Sequence, residues 1–132
     1  MTVKAAFAAR GSPVKFRQAA IAYLHVGILY EAAVFAMARA GIFPETRGPV
    51  WTWLLLGAFF ALSIPYALWR WQRRWFALLV WAVHSMRLPG IIDRAFFHPA
   101  DGAADLSPAF WWTALVVVVI NLAFLARAGF DL

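Results

Sequence analysis

A chain of 132 residues that is 64% hydrophobic, 17% aromatic and only 14% charged stands far from soluble domains, which run roughly 45–50% apolar and about 25% charged. A domain this small leaves much of its surface in water, so a soluble globule is excluded and an all-α integral membrane protein is expected. The net charge of +6 gathers at the ends of apolar runs, which assigns it to lipid headgroups and not to nucleic acid. The absence of cysteine excludes disulfides, thiolate metal sites, c-type haem and cysteine nucleophiles.

In chain order, residues 1–17 form a basic segment carrying Lys4, Arg10, Lys15 and Arg17. Its first ten residues are read equally well as a short interfacial helix or an unstructured tail. Residues 18–132 then form one domain with four stretches of about 20 apolar residues, the length that crosses a bilayer, at about 18–40, 50–69, 75–97 and 108–127. Ala36-Met37-Ala38 resembles a signal-peptidase site. The run before it is long for a signal peptide and holds His25 and Glu31, so the first span is expected to be kept.

The third span is the imperfect one. Its unbroken apolar run ends at Met86, before Arg87, Asp93 and Arg94. Because Ile91, Ile92, Ala95, Phe96 and Phe97 resume the pattern, a full crossing is favoured over a segment that re-enters and leaves on one side. Ser12-Pro13 and Ser107-Pro108 are helix-start signals, and Gly41, Gly48-Pro49 and His98-Pro99 separate helices. Seven of the eight tryptophans lie near span ends, Trp81 excepted, as an aromatic belt requires.

Lys4, Arg10, Lys15 and Arg17 before the first span, Arg70, Arg73 and Arg74 in the second connection, and Arg127 after the last outweigh Arg39, Arg47 and Arg94 on the other side. Positive residues stay inside, so both termini are expected in the cytoplasm of a multi-pass cell-membrane protein, the inner membrane if bacterial. Short links between antiparallel neighbours predict an up-down-up-down four-helix bundle. Ala32, Ala36 and Ala40, with Gly57 and Ala61, recur every four residues and mark where helices approach closely.

Polar residues inside spans are costly and therefore candidate sites. His25, His84, Asn121 and Ser63 fall at similar depth near the cytoplasmic side, one from each helix. Glu31 and Arg87 form a deeper layer in which pairing of opposite charges is the economical arrangement, although the angle between His25 and Glu31 leaves Glu31 free to face a bundle edge. Pro65 and Pro89-Gly90 weaken helices near these groups.

Three functions fit. The first is a non-catalytic subunit or assembly component of a homo-oligomer or a larger membrane complex, which is more in keeping with the chain than an enzyme. The second is an oligomeric proton-coupled transporter or channel using Glu31, similar in topology alone to small multidrug exporters. The third is a subunit binding haem b or a quinone, with His25 and His84 as ligands. No nucleophile–base spacing, HExxH motif or acidic pair for magnesium is present, no catalytic residue or metal ligand is assigned, and His98, Asp101 and Asp105 are read as a solvated loop.

Overall fold

The computed structural model describes residues 2, 9–44, 47–97 and 108–132. The expected interfacial segment at 1–10 lies largely outside these residues, as do His98, Asp101, Asp105 and the Ser107 cap. The described residues form an all-helical structure without strands. Its helices are α1 (Pro13–Arg39), α2 (Val50–Trp71), α3 (Arg74–Ile92, continued by a π-turn at Asp93–Phe97) and α4 (Pro108–Gly129). The four helical runs contain 27, 22, 24 and 22 residues. At about 1.5 Å per residue each exceeds the roughly 30 Å of a hydrocarbon core, so all four are long and apolar enough to cross a membrane.

Local signals set the ends. α1 starts at Pro13 because the ring supplies a preformed φ and the Ser12 hydroxyl accepts the Lys15 N–H at 3.5 Å. It stops where Gly41 takes φ +72°, a conformation that lets the Ile42 N–H reach the Met37 carbonyl at 3.0 Å. The third span is one continuous helical run from Arg74 to Phe97. Pro89 removes a backbone donor, and four residues later the helix widens into the π-turn at Asp93–Phe97.

Consecutive helices run in opposite directions. The starts of α1 and α3 and the ends of α2 and α4 meet at one end of the bundle, called here the terminal end. There the Gly11 N–H donates to the Gln72 carbonyl at 2.8 Å, Arg74 Nε to the Gly129 carbonyl at 2.9 Å, and Lys15 Nζ pairs with Asp131 Oδ1 at 2.8 Å. α1 lies along α2 on one side and α4 on the other, and α3 packs on α4.

The main buried cluster lies at the terminal end, with Val34, Ala61, Ile91 and Ala95 buried outside it. Phe16, Ala19, Ala20 and Tyr23 of α1 meet Leu68 of α2, Ala77 and Val80 of α3, and Leu125 and Ala128 of α4. The four alanines let the backbones approach closely, which is how helices gain dispersion energy where lipid already satisfies apolar side chains. Beyond Tyr23, Val34 is the one buried residue of α1. The far end is joined by aromatic contacts instead. Phe96 meets Trp112 with ring centroids 4.2 Å apart, Tyr30 meets Phe110 at 6.4 Å, and the Arg47 guanidinium lies 5.5 Å from the Trp111 ring centre. In each span's most apolar stretch only 11–17% of residues are buried, so most of the apolar surface faces outward.

Candidate functional site

The small-residue pattern is realised in part. Gly27 of α1 lies so close to α2 that a Cβ there would come within 2.4 Å of the Ala61 Cβ, and one on Gly57 would come within 2.0 Å of Glu31 Oε1. Gly57 and Ala61 therefore mark a helix contact, with Gly27 and Glu31 as their partners. Ala32, Ala36 and Ala40 are exposed. They share the face of His25, as their spacing requires, and that face is turned outward.

The polar residues separate into three places. In the first, His84 Nε2 and the Tyr23 hydroxyl are 2.9 Å apart, with ring centroids at 5.4 Å in an edge-on arrangement. This is the one point where α1 and α3 share a polar contact among those described. Tyr23 was missed at the sequence level, although a tyrosine hydroxyl within a span needs a partner and His84 was the polar group at its depth. Asn121, 2% exposed, is the buried polar residue of α4, and its Oδ1 has no hydrogen-bond partner.

The second place is the α1–α2 contact at Glu31. Its Oε1 is buried without a hydrogen-bond partner, set against Gly57 and beside Tyr30. The expected Glu31–Arg87 pair is not formed. The reason is rotational. α2 packs along this stretch of α1 and Gly57 leaves a notch for the carboxyl group, while Arg87 is exposed on α3, which meets α1 at Tyr23.

The third place is a groove of about 440 Å³ between α1 and α4. Ile21, Val26 and Leu29 line one wall and Val117, Ile120 and Phe124 the other, with Gln18 and His25 as its polar members. His25 Nδ1 is 2.7 Å from the Ile21 carbonyl. The Gln18 side-chain oxygen accepts from Arg127 Nη1. No residue of α3 reaches this groove, so His25 and His84 lie on different sides of α1 and do not face a common ligand. Haem b held axially by both is not served by this geometry. Ser63 lies apart, in an outward hollow of α2 with Phe59, Leu62 and Tyr66. The single polar layer expected from depth is thus divided by helix rotation.

Outside the spans, Asp131 is held below the usual carboxylate range, first by the hydrogen bond from Lys15 and then by its charge. Arg17 stacks over the Trp69 ring at 5.4 Å, the cation-on-aromatic arrangement common at headgroup level. No protein-family model matches the chain, and neither a curated protein nor a solved structure matches it.

Proposed function

We propose that this is a multi-pass protein of the cell membrane, with both termini in the cytoplasm, that acts as a non-catalytic component by docking the outer half of α1 against a second copy or another membrane subunit. The observation that carries this reading is the exposed ridge of Ala32, Ala36 and Ala40. In a bilayer, small residues on a helix gain most from another helix, whose backbone can approach closely. The chain's own helices leave that ridge uncovered.

Because the chain has no cysteine, an Ala36→Cys variant gives a clean cross-linking probe in native membranes. A cross-link to a second copy or to another subunit, lost with Ala36→Trp while the fold is kept, is the expected result. A monomer that cross-links to nothing, and purifies alone in mild detergent, overturns the reading.

A second reading, proton-coupled transport through Glu31, is favoured by one observation. The carboxyl group is not neutralised by Arg87 and has a buried oxygen without a partner, as a group that takes up and releases a proton needs. In proteoliposomes, Glu31→Gln then abolishes proton-driven flux while Arg87→Gln preserves it. Equal flux with and without the carboxylate removes this reading.

A further inference from the structure

The α1–α4 groove presents the exposed ring of His25, a polar group for which lipid acyl chains offer no hydrogen-bond partner. A carbonyl only accepts, so the 2.7 Å contact of His25 Nδ1 with the Ile21 carbonyl places the ring hydrogen on Nδ1. In the neutral imidazole, Nε2 is then an acceptor. Among the described residues nothing donates to it. At seven residues before His25 on the same helix, Gln18 gives its oxygen to Arg127 and keeps its amide donors available.

The backbone positions of these two residues are two helical turns apart, about 10.5 Å along the axis. Their separation suits a flat ring with an oxygen on each side, joined at either end by a hydrogen bond of roughly 2.8 Å. Phe124 offers an aromatic wall, and Val26, Leu29 and Val117 continue the groove as an apolar track. His25 lies 12 residues past Pro13, about 18 Å along α1, below the depth of phospholipid headgroups. Acyl chains and ester carbonyls have no hydrogen to give Nε2.

We propose that this groove binds an isoprenoid hydroquinone, with one hydroxyl donating to His25 Nε2, the opposite oxygen accepting from the Gln18 amide, and the isoprenoid tail lying along Leu29 and Val117. The reduced form is preferred, because a neutral His25 with its hydrogen on Nδ1 has nothing to offer a quinone carbonyl. The assignment is one of binding and is independent of how the alanine ridge is used.

The test uses the full chain in nanodiscs of phosphatidylcholine and phosphatidylglycerol, titrated calorimetrically with a decyl-chain benzohydroquinone and with its quinone. Saturable one-site binding of the hydroquinone is expected, with about 10-fold weaker binding of the quinone and a similar loss in His25→Leu, the scale of one hydrogen bond. Val117→Trp, which places an indole in the groove, abolishes binding, and Ser63→Ala on α2 leaves it unchanged. Equal affinity for the two redox forms overturns the proposal. So does binding that survives Val117→Trp, an absence of saturable binding, or equally tight binding of a one-hydroxyl amphiphile such as a long-chain alcohol.

Discussion

The two ends of the bundle hold together by different means. At the terminal end, nine apolar residues from all four helices form one buried cluster, tied by backbone and side-chain hydrogen bonds. At the far end, helices meet through paired aromatic rings and leave the alanine ridge of α1 uncovered. A membrane bundle gains nothing from merely hiding apolar surface, since lipid is equally apolar. Stability therefore concentrates where packing is closest, and the looser end is where another helix has most to add.

The largest effect that sharpens this contrast is expected from Phe16→Ala, which empties a fully buried site and costs roughly 3–5 kcal/mol. Met86→Ala, at 81% exposure, costs under about 0.5 kcal/mol. Unfolding in mixed micelles compares the two, and equal losses break the contrast. Next comes Gly27→Ala. Its new methyl group meets the Ala61 Cβ at 2.4 Å and the Cα at 3.1 Å, forcing α1 from α2 at a cost of about 1–3 kcal/mol. Gly57→Ala meets mainly the movable carboxyl end of Glu31 and costs less in the same assay.

Tyr23→Phe removes the hydroxyl that partners His84 and costs about 0.5–1.5 kcal/mol. The His84 ring signals in nitrogen NMR shift at the same time; unchanged signals contradict the contact. The smallest effect is at Asp131, whose folded-state pKa is depressed by Lys15. Its support is complete above the unfolded value of about 3.9 and is lost as pH falls through the lower folded value. The exposed pair is screened by solvent. The drop in thermal midpoint on acidification is thus slightly greater for the wild type than for Asp131→Asn, and matching drops remove this contribution.

The helices were legible in the sequence because crossing length and proline caps are written locally. Even the imperfect third helix runs on past Arg87, since Ile91 to Phe97 carry the pattern. Partner choice was not legible. In a soluble helix the apolar stripe shows which face is inward, but here both faces are apolar, so the sequence gives depth without rotation. His25 and His84 share a depth and take separate sites on opposite sides of α1, and Glu31 turns to Gly57 instead of Arg87. Tyr23 beside His84 shows that depth still identifies partners once rotation is known.

The link between α2 and α3 consists of Gln72 and Arg73 alone, with Gln72 in the left-handed region at φ +52°. The three Cα–Cα steps from Trp71 to Arg74 reach at most about 11 Å, so the neighbouring helix ends cannot part. The second and third helices are therefore coupled as a single hairpin. Arg70, Arg73 and Arg74 lie together at its crown, so whichever surroundings one of these charges meets, the other two meet them as well.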